Sequence, residues 1–74
     1  MTDKNGTKLK NGDWVKTSRW QEGCYVTIMG KIIKIIYFDN LAIIQDDKGF
    51  MIRRVSNEIE LATMDEMLIY KLER

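Results

Sequence analysis

The sequence predicts a mainly β domain, a small five-stranded barrel followed by a short C-terminal helix. Five short segments rich in β-branched and aromatic residues lie between residues 13 and 62, and turn-forming residues separate them. Strands at this spacing favour a small barrel, because closure removes the exposed edges that a flat sheet leaves. Residues 63–74 change to a helical spacing of apolar residues. A chain of 74 residues has room for one core.

Residues 1–12 are predicted to form a flexible arm that precedes the barrel. They contain two Asn-Gly pairs and, after Met1, a single apolar residue. A segment this polar cannot bury enough surface to offset the entropy that it would lose on ordering. The barrel itself is therefore predicted over residues 13–62.

The first strand is predicted to start at Trp14, where the residues favour extended backbone. Residues 21–23, Gln-Glu-Gly, form the next turn, and they leave Trp20 in a loop. A long β-prone stretch follows over residues 24–38. Gly30 interrupts this stretch, as a bulge or a sharp bend would.

The lysines of the long stretch predict an irregularity in it. Lys31 and Lys34 are three residues apart, and one face of a regular strand cannot carry both of them. We expect either a bulge near Ile33 or a strand that is buried on both sides at one end.

Three further strands are predicted after a polar break at residues 39–40. Residues 46–49, Asp-Asp-Lys-Gly, form the clearest turn, because Asp accepts backbone hydrogen bonds and Gly49 can adopt a positive φ. The two aspartates are therefore interpreted as turn residues and not as a pair of catalytic acids. The predicted strands are residues 41–45, 50–55 and 58–61.

The last twelve residues, 63–74, are predicted to form a helix. Thr63 and Glu66 have the spacing of a capping box, in which each side chain accepts a hydrogen bond from the other residue's backbone N–H. Met64, Leu68 and Leu72 fall on one helical face. This apolar face is too broad for a solvated helix, so we expect it to dock either on the barrel or on another chain, including a second copy in a homo-oligomer.

The composition excludes the common catalytic and metal-binding constellations. The chain has no histidine and one cysteine, Cys24. A structural zinc site needs four Cys or His ligands, and a cysteine nucleophile needs a base that histidine usually supplies. Cys24 is predicted to be a small buried thiol. We therefore expect a protein that is not an enzyme and that uses no cofactor and no metal.

Hydropathy and charge bear on location and partners. No apolar stretch approaches the ~20 residues of a membrane helix, and the polar N-terminus predicts no signal peptide. A single cysteine is typical of the reducing cytoplasm, where we expect this protein. Residues 1–55 carry ten Lys or Arg and six acidic residues, whereas residues 56–74 carry two Lys or Arg and five acidic residues. This distribution slightly favours anionic partners and gives no reason to expect a membrane partner.

Three segments resemble SH3-like barrels of the KOW type. They are residues 12–16 (Gly-Asp-Trp-Val-Lys), 30–35 (Gly-Lys-Ile-Ile-Lys-Ile) and 42–44 (Ala-Ile-Ile). KOW barrels usually have a further glycine at the position where Thr27 stands here. The resemblance implies an SH3-like fold, and with it the nucleic-acid binding of KOW domains.

A second SH3-like group is similar at Gly12, Val15, Arg19 and Gly30. This group is the small peripheral subunit of photosystem I, which helps to dock an acidic electron carrier. The similarity implies a protein-docking function.

A third SH3-like group gives a remote alternative. The Gly-Asp-x-Val opening at residues 12–15 is similar to that of type II dihydrofolate reductases, which form a pore as tetramers. Their pore is lined by a Val-Gln-Ile-Tyr segment, whereas residues 51–54 here read Met-Ile-Arg-Arg. This departure argues against reductase activity.

Aromatic and basic residues supply the candidate binding surface. Trp14 is predicted to lie in the core, whereas Trp20 and Tyr25 are candidates for contact with a peptide or a nucleobase. Arg53 and Arg54 point to opposite faces of a strand, so one of them at most can join a given surface. Four basic residues are expected on neighbouring strands, where they can form a basic stripe: Lys16, Arg19, Lys31 and Lys34.

The leading functional hypothesis is a non-catalytic interaction module that docks another protein through the Arg19–Trp20 loop and the exposed face of the barrel. The alternative is binding of RNA or DNA by the basic stripe, with Trp20 or Tyr25 stacking on bases. The candidate binding residues are Lys16, Arg19, Trp20, Tyr25, Lys31, Lys34 and Arg54.

Overall fold

A computed structural model describes residues 1–72 as five strands, two short 3-10 turns and one helix. The strands are β1 (Trp14–Gln21), β2 (Cys24–Ile36), β3 (Leu41–Asp46), β4 (Met51–Val55) and β5 (Glu60–Leu61), and the helix is α1 (Met64–Leu72). The 3-10 turns are Tyr37–Asp39 and Ser56–Glu58. The predicted helix extended to residue 74, and its last two residues lie outside the described part of the chain.

The strands form one antiparallel sheet in the order β4-β3-β2-β1-β5. The prediction of a mainly β chain with five strands and a short C-terminal helix is confirmed, and half of the residues are in strands. β4 and β5 are the two edges of the sheet, which is open. The closed barrel therefore stays a prediction.

Strand β2 joins the two halves of the sheet. Its first part pairs with β1 and its second part with β3, and the change of partner falls at Gly30 and Lys31. The register shifts between Ile32 and Lys34, which confirms the predicted bulge near Ile33. The sequence had suggested that Gly30 interrupts this stretch, but β2 continues through it. Gly30 lies where β3 approaches so closely that a Cβ atom would be 2.7 Å from the carbonyl oxygen of Gln45.

The core lies on one face of the sheet, which we call the inner face. Val15 and Ile59 are completely buried, although they are 44 positions apart in the sequence. The core cluster consists of Leu9, Val15, Ile32, Ile35, Ala42, Ile44 and Ile59.

The N-terminal segment is packed against the sheet, and the prediction of a loose arm over residues 1–12 needs correction. Leu9 is 4% exposed and belongs to the core, while Asp3 is 5% exposed. The Asp3 carboxylate accepts hydrogen bonds from the backbone N–H groups of Asn5, Thr7 and Leu61, at 2.9, 2.8 and 2.9 Å. One buried carboxylate and one buried leucine thus fix a segment whose average composition is polar.

Helix α1 starts at the predicted capping box. The N–H of Thr63 donates to Glu66 Oε1 at 3.2 Å, and the N–H of Glu66 donates to Thr63 Oγ1 at 3.1 Å. The predicted apolar face does not dock on the sheet, because Met64, Leu68 and Leu72 are 71%, 55% and 85% exposed.

The opposite side of α1 packs on the outer face of the sheet. Met67 and Tyr70 line a small cavity of about 150 Å³ together with Trp14 and Met29. Lys71 Nζ lies 5.4 Å from the ring centroid of Trp14, within range of a cation–π contact. Trp14 is half-buried beneath the helix and does not join the inner core that was predicted for it.

Candidate functional site

The β1–β2 hairpin carries an exposed aromatic pair. Trp20 and Tyr25 are directly opposite each other, with ring centroids 5.0 Å apart and planes at 76°, an edge-to-face arrangement. They are 60% and 73% exposed. Both candidate residues therefore meet on one surface.

Trp20 and Arg19 lie in strand β1 and not in the predicted loop. Glu22 and Gly23 have φ angles of 51° and 86°, so two residues suffice to reverse the chain. Turns with two positive φ angles match the twist of a hairpin, and they let both strands continue up to the turn. Arg19 points to the face opposite that of Trp20, because successive strand residues alternate.

Cys24 begins β2 at this same hairpin and is exposed. Its Sγ lies 3.4 Å from the carbonyl oxygen of Gln21. The prediction of a buried thiol is wrong, because the two-residue turn places Cys24 at the tip of the hairpin, away from the core.

Arg19 and Arg54 line one groove, although β1 and β4 are not neighbours in the sheet. Arg54 Nη2 donates to the carbonyl oxygen of Ser18 at 3.3 Å, so the Arg54 side chain reaches from β4 to the main chain of β1. The groove has a volume of about 450 Å³. We call it the arginine groove, and its lining residues are Arg19, Phe50, Met51, Ile52, Arg53 and Arg54.

Among residues 1–72, no acidic residue lines the arginine groove. Within residues 1–72, none of its three arginines takes part in an ion pair, since every salt bridge there uses Lys4 or Lys16. Arg54 instead donates hydrogen bonds to two neutral carbonyl oxygens, that of Ser18 and, at 2.7 Å, that of Arg53. The groove is therefore a cationic, partly apolar surface that can accept a carboxylate or a phosphate.

Lys16 has a different role from the one predicted. Its ammonium group bonds to the Glu66 carboxylate and lies 3.6 Å from Glu60 Oε1. The hydrogen bond to Glu66 raises the pKa of Lys16, and the same bond lowers the pKa of Glu66. Lys16 thus holds α1 and β5 against β1, and its charge is neutralised.

The other two lysines of the predicted stripe lie on the outer face. Lys31 is opposite Trp14 on one side and Gln45 on the other, and Lys34 is opposite Ile43. Arg19 faces the inner side. The four residues of the predicted basic stripe are consequently divided between two faces and one ion-pair cluster.

Phe50 and Met51 are functional candidates that sequence reasoning missed. They are exposed, and they extend the arginine groove next to Ile52. A signal was present, because residues 51–54 place two apolar residues before two arginines, whereas a half-buried strand alternates. Tyr37 and Phe38 are a second exposed aromatic pair, on the first 3-10 turn.

Asp46 of the β3–β4 hairpin has the turn role that was predicted for it. Asp46 Oδ1 accepts hydrogen bonds from the N–H groups of Lys48 and Phe50, at 2.9 and 2.8 Å, and Gly49 has a φ of 90°. Among residues 1–72, no three Cys, Asp or Glu side chains are grouped as ligands for a metal ion. In the same range, no helix has the length and apolar character needed to cross a membrane.

Comparisons with protein-family models, with curated proteins and with solved structures gave no match to this chain. The geometry of the hairpin and of the arginine groove therefore carries the functional argument alone.

Proposed function

We propose that this protein is a non-catalytic docking module that binds another protein through the end of the molecule formed by the β1–β2 hairpin and the arginine groove. The observation that carries this proposal is the combination of exposed aromatic rings with three arginines whose groove is lined by no acidic residue from the described range 1–72. Tryptophan, tyrosine and arginine are the residues that most often dominate the binding energy of protein interfaces. A reducing cytoplasm suits the exposed free thiol of Cys24 in such a module.

The order of the strands supports an SH3-like fold for the module. β5 returns to pair with β1 at Val15–Leu61 and Lys16–Glu60, and the long strand β2 serves both halves of the sheet. The contact between Arg54 and Ser18 brings β4 towards β1, as partial closure of a small barrel requires. Fold likeness alone does not assign a function, so the docking proposal depends on the surface.

Nucleic-acid binding is the second candidate, because the exposed rings of Trp20 and Tyr25 can stack on bases. Binding to a phosphate backbone also needs several cations along one path. Lys16 is neutralised by two glutamates, and Lys31 and Lys34 are the two remaining stripe cations on the face that carries Trp20 and Tyr25, whereas Arg19 lies on the opposite face. Two cations beside the aromatic pair are few for a phosphate backbone, which favours protein docking.

The two candidates are separated by capture of partners from native lysate on the immobilised protein. We expect a nuclease-resistant protein partner whose capture persists between about 50 and about 200 mM salt, because an aromatic anchor contributes through desolvation. Trp20→Ala should reduce capture at least about tenfold. The matched variant Lys31→Glu/Lys34→Glu should leave capture unchanged.

The opposite pattern would contradict the proposal. Capture that nuclease removes, that falls steeply with salt and that is lost in the double charge reversal would identify a nucleic-acid module.

A further inference from the structure

Strand β4 presents free main-chain groups on one side, because within residues 1–72 no strand pairs with its outer edge. The N–H of Asp46 donates to the carbonyl oxygen of Phe50, which sets the phase of the β3–β4 ladder. Residues 52 and 54 then bond to β3, and Met51, Arg53 and Val55 direct their N–H and C=O groups outward. This edge borders the arginine groove.

Side chains of the protein occupy part of the edge. The outward N–H of Val55 donates to Glu58 Oε1 at 3.2 Å, and the outward C=O of Arg53 accepts from Arg54 Nη1 at 2.7 Å. Both contacts are solvent-exposed and can be exchanged. Edge strands commonly carry such features, because an unpaired edge invites another strand.

We infer that the edge of β4 binds an extended acidic segment of the partner protein as an additional strand. This inference rests on the docking function proposed above, and it specifies which part of the partner binds. Main-chain hydrogen bonds at Met51 and Arg53 would supply a general affinity, and side chains would supply the specificity.

The sequence of β4 defines the complementary segment. Its side chains alternate, so Ile52 and Arg54 lie on the inner face of the sheet and Met51 and Arg53 on the outer face. Cross-strand neighbours on each face are therefore one apolar residue followed by one arginine. The matching strand carries two consecutive apolar residues beside two consecutive acidic residues.

The charges favour carboxylates as the groups that Arg54 and Arg53 would bind. Arg54 now donates to two neutral carbonyls, and exchanging them for a carboxylate gives a charge-assisted, bidentate contact. Glu58 stands at Val55 and would repel a further acidic residue there. The bound acidic pair is consequently limited to the positions opposite residues 53 and 54.

The outward groups of β4 alternate donors with acceptors, which suits a peptide backbone better than a row of phosphate acceptors. Met51 and Ile52 add an apolar surface, and a sugar-phosphate chain has no apolar side chains to pack against it. Nucleic acid at this site is therefore an outcome that would overturn the inference.

The test is a titration of the ¹⁵N-labelled full chain with synthetic peptides, followed by nuclear magnetic resonance. The probes are Gly-Thr-Val-Ile-Glu-Asp-Thr-Gly and the same peptide with the central four residues reversed, each compared with a version that has lysines for the two acids. We expect shifts centred on residues 51–54 and slower amide exchange at Met51 and Arg53. The lysine peptides should bind at least about tenfold more weakly, and the better of the two acidic peptides reports the strand direction.

Two sets of controls separate strand addition from simple charge attraction. N-methylation of the peptide amides that face β4 should reduce affinity at least about tenfold, because it removes main-chain hydrogen bonds, whereas N-methylation of the alternate amides should not. Arg54→Ala should weaken binding about tenfold, and Lys48→Ala, on the nearby turn, should not.

Equal effects of the two methylation patterns would overturn strand addition, and so would binding of an oligothymidylate but not of the acidic peptides at residues 51–54. Failure of this inference is distinguishable from failure of the docking function. If Trp20-dependent capture of a protein persists in Arg53→Ala/Arg54→Ala, docking through the hairpin stands and the binding of an acidic segment at β4 is overturned.

Discussion

The two ends of this molecule use their charged residues in opposite ways. At the end formed by the N-terminal segment, β5 and α1, the carboxylates of Asp3, Glu60 and Glu66 all have partners. At the end formed by the hairpin and the arginine groove, Arg19 and Arg54 have no carboxylate partner within residues 1–72. Since both ends share one sheet, the difference indicates which charges hold the fold together and which are available to a ligand.

Asp3 is the residue on which the first end depends most. Burial by itself would raise the pKa of Asp3, but the hydrogen bonds from the N–H groups of Leu61, Thr7 and Asn5 outweigh it and lower the pKa below its usual value. The ionised carboxylate is thus the form that the fold stabilises.

The largest expected effect is that of Asp3→Ala. It should lower the free energy of unfolding by about 2–3 kcal/mol, because it leaves backbone N–H groups without their charged acceptor. Urea unfolding measures this change. The matched control is Asp13→Ala, which removes one exposed bond from the Lys10 N–H and should cost under about 1 kcal/mol. Equal losses in the two variants would mean that Asp3 does not fix the N-terminal segment.

A second comparison tests which face of α1 is docked. Met67→Ala should cost about 1–2 kcal/mol, because Met67 lies in the half-buried contact with Trp14 and Met29. Leu68→Ala removes a similar apolar volume from an exposed position and should change stability by less than about 0.5 kcal/mol. Thermal unfolding of the two variants measures the difference in stability. A larger loss of stability for Leu68→Ala would place the docked face at Met64, Leu68 and Leu72, as the sequence alone had predicted.

The dependence of stability on acidic pH provides a third test of the same end of the molecule. The lowered pKa values of Asp3 and Glu66 mean that both carboxylates stabilise the fold above their unfolded values of about 4, and that this contribution is lost as the pH falls through the lowered values. The free energy of unfolding should therefore decrease below about pH 4. The decrease should be shallower in Asp3→Asn, and an identical slope in this variant would assign the acid loss to other groups.

The smallest effect is expected at the opposite end. Arg19→Ala and Arg54→Ala should each change the free energy of unfolding by less than about 0.5 kcal/mol, because neither arginine has an ionic partner in the described chain. Urea unfolding of these variants beside Asp3→Ala measures the contrast directly. A loss above about 1 kcal/mol for Arg54→Ala would show that its contacts with the Ser18 and Arg53 carbonyls hold the fold.

Local signals predicted three local features of this fold correctly. The capping box at Thr63 and Glu66, the turn at residues 46–49 and the bulge near Ile33 each depend on a few neighbouring residues. The interactions that form each feature lie within a short window of sequence, so the residue pattern of that window is enough to predict the feature.

Two features that the sequence did not predict depend on distant partners. The N-terminal segment is ordered by a bond from the Leu61 N–H to Asp3, across 58 positions, and the Lys16–Glu66 bond, across 50 positions, orients α1. Neither contact leaves a periodic signal in the chain. In the candidate site, Arg19 and Arg54 could be selected from the sequence, but their meeting in one groove follows from the curl of the sheet.

The close approach at Gly30 restricts how this sequence can change during evolution. A Cβ atom there would lie 2.5 Å from Ile44 Cγ2 and 2.7 Å from a main-chain oxygen, so even alanine would force β2 and β3 apart. The exposed glycines at 6, 12 and 23 meet no such neighbour. Any descendant of this chain that keeps the close pairing of β2 with β3 should therefore keep glycine at this position, even after its binding surface has diverged beyond recognition.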